Sequence, residues 1–208
     1  MLRAGACDVM PEPAMPRYLR PAVDEAEALR RWHAPRDGLT RALVRMLFPA
    51  PAPQRVELVW LPSYLVTIEL ELRGVRSNVT CTVEGLSGSF AIFQMHAQIE
   101  DGHPDGESFE AVLDAETAEK LARDLLVKSI LRRRGRAGKP IPGATQRVEA
   151  LLWPYWVYYH RRRGGRMDIA LLDGATGDRP GHKIKLGLLE AFRAAARQSS
   201  QRVEGKPV

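Results

Sequence analysis

The fold is decided by a strictly alternating stretch, Val66-Thr67-Ile68-Glu69-Leu70-Glu71-Leu72. Apolar side chains take every second position and polar ones the positions between, which is the period of a β-strand with one buried face. A turn at Gly74 follows, and the segment from Asn78 to Glu84 alternates again. The two segments predict a β-hairpin, and its apolar face needs another element to cover it, because an isolated hairpin is marginal in water.

A second hairpin is predicted over residues 148–172, and its beginning matches the first. Arg55-Val56-Glu57 reappears as Arg147-Val148-Glu149, and Pro62 reappears at the same spacing as Pro154. Because proline lacks a backbone donor, we expect both prolines at a sheet edge or a bulge.

The ends of the two hairpins match as well. The turn Glu84-Gly85-Leu86-Ser87-Gly88 corresponds to Asp173-Gly174-Ala175-Thr176-Gly177. Glycines permit the positive φ angles of a tight turn, and acidic or hydroxyl side chains bond the backbone of such turns. Two blocks matching in the same order indicate an internal repeat.

The predicted fold class is therefore α+β, with two pseudo-repeated helix plus antiparallel β-hairpin units and a C-terminal helix. Helices are expected at 24–32, at 39–47, after the N-cap Asp114 to about residue 133, and at 183–198. The predicted organisation is a flexible Pro-rich N-terminus at 1–22, a first helix/β-hairpin unit and following helix at 23–135, a second β-hairpin unit with the C-terminal helix at 136–198, and a flexible tail at 199–208.

The second hairpin also resembles a module of many poorly characterised prokaryotic proteins. The resemblance rests on Trp153-Pro154-Tyr155-Trp156 and on the later run from Leu172 to Arg179, an aromatic–proline strand followed by a D-G-x-T-G turn. The turn is similar to that of PepSY-type helix–strand–strand domains, and the first hairpin shares the pattern only loosely. The resemblance implies a tandem binding or regulatory module rather than an enzyme, and it supplies no catalytic residue.

Composition sets further limits on the chain. Hydrophobic residues make up 45% and charged residues 27% of the 208 positions, which is the balance of a globular protein with its own core. The first sixteen residues lack the apolar region of a signal peptide, and no apolar run approaches the ~20 residues of a membrane span. We expect a cytoplasmic protein without a membrane span, in which Cys81 is a buried core residue.

No catalytic motif is recognisable in the sequence. The five histidines lack metal-ligand spacing, and phosphate-binding loops and nucleophile elbows are absent. We therefore expect no cofactor, no metal and no enzymatic activity. The remaining catalytic hypothesis is a site assembled around the turn that carries Asp101, His103 and Glu107.

Basic runs provide the candidate binding residues. The formal net charge of +6 favours an anionic partner, and arginine grips phosphate or carboxylate through paired donors. One run closes the helix near residue 132 and another forms the second hairpin's tip, beside aromatic residues able to stack on bases. The candidates are Arg132, Arg133, Arg134, Arg136, Arg161, Arg162, Arg163, Arg166, Tyr158 and Lys183.

Two functions remain open on these grounds. The first is a non-catalytic interaction or accessory protein that binds another macromolecule, a protein in particular, through its hairpins and basic surfaces. The second is a nucleic-acid-binding protein that uses the Arg-rich helix end and hairpin tip. Self-association into a homo-oligomer is compatible with either function.

Overall fold

The two longest strands of the protein pair with each other and form the middle of one sheet. The computed structural model describes residues 16–33, 53–95, 98–132, 138–162 and 164–204, with side chains up to residue 197. Its elements are β1 (Arg17–Leu19), α1 (Glu25–His33), β2 (Arg55–Leu72), β3 (Val75–Glu84), β4 (Phe90–Ile92), β5 (Ile99–Asp101), β6 (Glu107–Ser108), α2 (Ala115–Arg132), β7 (Ile141–Arg161), β8 (Met167–Asp173) and α3 (His182–Glu204).

These strands form a mixed, eight-stranded sheet. Its main order is β4-β3-β2-β7-β1-β5, while β6 pairs with β2 and β8 pairs with β7. The neighbours β2 and β3, β7 and β8, and β2 and β7 are all antiparallel. β1 runs parallel to β7 and antiparallel to β5.

The prediction of two helix-plus-hairpin units is wrong. The two hairpins were expected to carry separate apolar faces, each covered by its own helix, but β2 and β7 pair from Arg55↔Tyr159 to Glu71↔Ile141. That pairing merges both hairpins into one sheet, in which strands outnumber the three helices of the described ranges. The matched sequences lie in its strands and turns, and Leu61 pairs with Trp153 at their shared centre.

Helices cover both faces of this sheet. Odd-numbered residues of β2, such as Val59 and Leu61, belong to a core cluster with Leu188 of α3. Even-numbered residues face the opposite way, because side chains alternate along a strand. Val66 accordingly packs with α2, and Leu58 packs with the cluster that contains α1.

Pro62 and Pro154 lie inside the two central strands and not at the expected edges. In a strand the N and C=O of one residue point to the same neighbour. The Pro62 carbonyl accepts from Gly85 N at 2.7 Å, and the Pro154 carbonyl accepts from Gly174 N at 2.9 Å. The side of each proline that lacks an N–H donor therefore faces a tight turn, and the pairing of β2 with β7 loses no hydrogen bond to it.

Each of these turns is held by the acidic residue that begins it. Asp173 Oδ1 accepts from Ala175 N, Thr176 N and the indole Nε1 of Trp153 at 2.8–3.0 Å. Glu84 uses both oxygens, for Leu86 N at 2.9 Å and Ser87 N at 2.7 Å, and also accepts from the Ser87 hydroxyl. The two turns are thus built on the same principle with different carboxylates.

Several local predictions are confirmed. Asp114 accepts from Thr117 N at 2.7 Å and caps α2, and Cys81 is fully buried. Helix α3 extends to Glu204, past the predicted end at 198, while the helix predicted at 39–47 lies outside the described residues. Within the described ranges, no helix has the length and apolar character needed to cross a membrane.

The Asp173 turn generates a stability prediction. Asp173→Ala leaves the indole and two amides without their acceptor, which we expect to cost about 2–4 kcal/mol in urea unfolding. Asp173→Asn keeps Oδ1 and should stay within about 1 kcal/mol of wild type. Equal losses in the two variants would show that the side chain does not hold the turn.

The free energy of unfolding should also depend differently on pH in wild type and in Asp173→Asn. Burial raises the pKa of Asp173 above that of the unfolded chain, so the folded state keeps the proton where the unfolded state has lost it. Stability due to this group therefore falls as the pH rises from about 4. Asn lacks this penalty, so the stability of Asp173→Asn relative to wild type should increase between pH 4 and 7. A constant difference across that range would contradict the raised pKa.

Candidate functional site: a basic groove beside an acidic cavity

A groove of about 450 Å³ lies between the start of β4, the last turns of α2 and the first turn of α3. Three cationic side chains, Lys128, Arg132 and Lys183, line it together with the apolar Phe90 and Leu125. All three cations are exposed. Ser89, Ser129 and Gly88 complete the lining.

The helices explain how these cations come together. Lys128 and Arg132 are four residues apart on α2 and so share one side of that helix. Lys183 is the second residue of α3, whose first turn contains no acidic residue. A cation there opposes the helix dipole, and like charges four apart repel, each by a few tenths of a kcal/mol. Among the described residues no carboxylate pairs with any of the three, so the groove is open to an external anion.

The structure thus brings together two of the predicted residues, Arg132 and Lys183, from segments distant in sequence. Arg161 and Arg166 are exposed at the hairpin tip between β7 and β8. Arg162 also lies there, but its Nε donates to Asp168 at 2.7 Å. The other four candidates, Arg133, Arg134, Arg136 and Arg163, lie outside the described residues.

Tyr158, the predicted aromatic contact, lies in the core. Its side chain is only 2% exposed, and its ring stacks on Trp32 with centroids 4.8 Å apart. The hydroxyl donates to the Ala28 carbonyl at 2.7 Å. Burial raises the pKa of Tyr158 to about 12. The residue therefore anchors α1 to the sheet and offers no surface to a ligand.

Lys128 is the groove residue that sequence reasoning missed. Its spacing of four from Arg132 was a usable signal, because both belong to one predicted helix. A search for continuous basic runs does not find Lys128, because its neighbours in the sequence are uncharged.

A second cavity, of about 290 Å³, adjoins the groove and shares Ser89 and Phe90 with it. Its floor is the sheet face under α3, where Glu84, Tyr155 and Asp173 lie. Burial raises the pKa of both carboxyls, against the lowering effect of the hydrogen bonds that they accept. The pKa of Tyr155 is raised well above its ordinary value by burial and by the charges of Asp173 and Glu84.

Sequence reasoning did not assign these carboxylates to a site either. The signal was their equivalent position at the start of the two matching turns. They come together because β2 pairs with β7, which places the side chains at the ends of β3 and β8 on the same face of the sheet.

The residues of the catalytic hypothesis form no comparable site. Asp101, His103 and Glu107 are exposed, and they line neither the groove nor the cavity. Asp101 pairs with Arg17 at 3.3 Å. In the part of the chain that the structure describes, no three His, Cys, Asp or Glu side chains are grouped so as to hold a metal ion.

Comparison with known proteins adds no relative. No protein-family model matches the chain, and no curated protein or solved structure matches it at a significant level. The resemblance to PepSY-type modules therefore stays a prediction.

The placement of Tyr158 yields a direct test. Tyr158→Phe should cost about 1 kcal/mol in urea unfolding, through loss of the bond to Ala28, and should leave the affinity for a polyanion such as heparin unchanged within twofold. Reduced heparin affinity in a folded Tyr158→Phe variant would show that the residue takes part in binding after all.

Proposed function

We propose that the protein is a non-catalytic accessory protein that binds an acidic segment of a protein partner in its basic groove. One observation carries the proposal: Lys128, Arg132 and Lys183 converge from two helices on one concave surface without carboxylate partners among the described residues. A surface of this kind attracts negative charge over the Debye length and speeds encounter with an anionic partner.

The apolar lining favours a peptide over a nucleic acid. Phe90 and Leu125 are partly buried between the cations and offer a contact for an apolar side chain within an acidic segment. Single-stranded nucleic acids bind best where aromatic rings stack on bases. Four aromatic residues are expected to do so: Tyr155, Trp156, Tyr158 and Tyr159. Trp156 and Tyr158 are buried under α1 and Tyr155 packs in the cluster that contains α3, while the partly buried Tyr159 donates its hydroxyl to Glu57.

Nucleic-acid binding has one observation in its favour. Arg161 and Arg166 are exposed at the hairpin tip, and neither forms an ion pair within the described residues. Arginines at such a tip can bind phosphates through paired donors, and phosphate contacts position a nucleic acid without reading its sequence.

Charge reversal distinguishes the two surfaces. The groove variant carries Lys128→Glu, Arg132→Glu and Lys183→Glu, and a control of equal net charge carries Arg161→Glu, Arg166→Glu and Arg193→Glu. We would measure fluorescence anisotropy with a labelled Glu-rich peptide containing Phe and Leu and with a single-stranded oligonucleotide, at several salt concentrations. Unfolding in urea checks that both variants fold.

We expect the groove variant to bind the peptide at least about tenfold more weakly, which corresponds to about 1.4 kcal/mol, and the control to stay within about threefold. A larger loss in the control would place binding at the hairpin tip or at Arg193 on α3, and would contradict the groove. Tighter binding of the oligonucleotide than of the peptide, abolished by the groove variant, would replace the protein partner by a nucleic acid.

A further inference from the structure

The charged residues that line the cavity beside the groove are acidic. Among the described residues that line it, three are carboxylates and none is cationic. Glu84 and Asp173 lie on the floor, and the exposed Asp178 lies at the mouth. The walls are apolar and include Met95, Trp153 and Ile184. Such a combination disfavours an anionic ligand and favours a cation that carries an apolar body.

Three hydroxyl groups on the cavity lining form no hydrogen bond with any residue that the structure describes. Ser63, Thr82 and Tyr155 are 3%, 8% and 4% exposed, and all three line the cavity. Among the described residues none of their hydroxyls makes a hydrogen bond, and none is enclosed away from the open space of the cavity. These hydroxyls are therefore able to hydrogen-bond to a molecule that occupies the cavity.

The floor carboxylates retain capacity for a ligand. A carboxylate offers about four acceptor positions, and three hydrogen bonds from the protein reach each of these groups: two turn amides and a hydroxyl for Glu84, and two amides and an indole for Asp173. Glu84, Asp173 and Tyr155 all line this cavity, so the three polar groups face one space.

We propose that this cavity binds a small organic ammonium compound, with the ammonium group between Asp173, Glu84 and the Tyr155 hydroxyl and the apolar body against Trp153, Met95 and Ile184. The ammonium group donates to the remaining carboxylate positions and to hydroxyl oxygens, and its charge offsets part of the negative charge of the buried Glu84 and the half-buried Asp173. The site is independent of the basic groove, since the two have opposite charge and, of the described lining residues, have only Ser89 and Phe90 in common.

The test uses three probes with the same apolar body: 2-phenylethylammonium, 2-phenylethanol and 3-phenylpropionate. Binding to the full chain is measured by calorimetry and by ligand-observed NMR at constant ionic strength. We expect the ammonium probe to bind at least tenfold more tightly than the alcohol and the carboxylate. Equal affinity for the three, or no binding of the ammonium probe at millimolar concentration, would overturn the proposal.

Variants locate the site. Tyr155→Phe and Asp173→Asn remove the hydroxyl and the charge with little change in shape, and each should weaken the ammonium probe at least fivefold. Tyr158→Phe, which loses a hydroxyl on the other face of the same strand, is the matched control and should bind as wild type. Unchanged binding in a folded Tyr155→Phe variant would contradict the assignment.

A variant that fills the cavity tests the proposal even if Tyr155→Phe or Asp173→Asn fails to fold. Ala91 is exposed on the edge strand β4 and lines the cavity. Ala91→Trp therefore narrows the cavity without burying new polar groups, and it should abolish binding of the ammonium probe. Full binding in Ala91→Trp would place the probe elsewhere and overturn the proposal.

Discussion

The antiparallel pairing of β2 with β7 is the contact on which the rest of the structure depends. It joins two hairpins that are distant in sequence and places Leu61 opposite Trp153 at the centre of the sheet. Both faces of this sheet are covered by helices, α1 and α2 on one side and α3 on the other. The acidic cavity exists because the pairing brings the ends of β3 and β8 to one face, and the basic groove forms where α2 and α3 meet beside β4.

Two prolines and two tight turns make this long pairing compatible with the sequence. Each proline turns its missing donor toward a turn, whose glycine amide instead donates to the proline carbonyl. An acidic side chain then satisfies the amides of that turn. The same turns supply the carboxylates of the cavity floor, so the groups that end the strands also give the cavity its charge.

The sequence predicts the local features well because they depend on neighbours along the chain. The alternation of residues 66–72, the helix predicted at 24–32 and the cap at Asp114 are of this kind. The pairing of β2 with β7 depends on contacts far apart in sequence, so periodicity alone does not reveal it. Tyr158 is predicted as a binding residue because it lies beside the arginine run of the hairpin tip, but helices on both sides of the sheet bury both sets of alternating side chains. Arg132 and Lys183 were recognisable by residue type, whereas their meeting with Lys128 required the packing of α2 and α3.

The pairing itself is tested most directly by NMR. Trp60 and Pro62 direct their carbonyls away from β7, so their pairs with Pro154 and Leu152 are of the closely spaced, non-hydrogen-bonded type. We expect strong Hα–Hα nuclear Overhauser effects between Trp60 and Pro154 and between Pro62 and Leu152. The corresponding effect between Leu65 and Thr82, within the first hairpin, serves as the internal control. Observation of the effect within the hairpin together with the absence of both effects between β2 and β7 would contradict the single sheet and the two sites built on it.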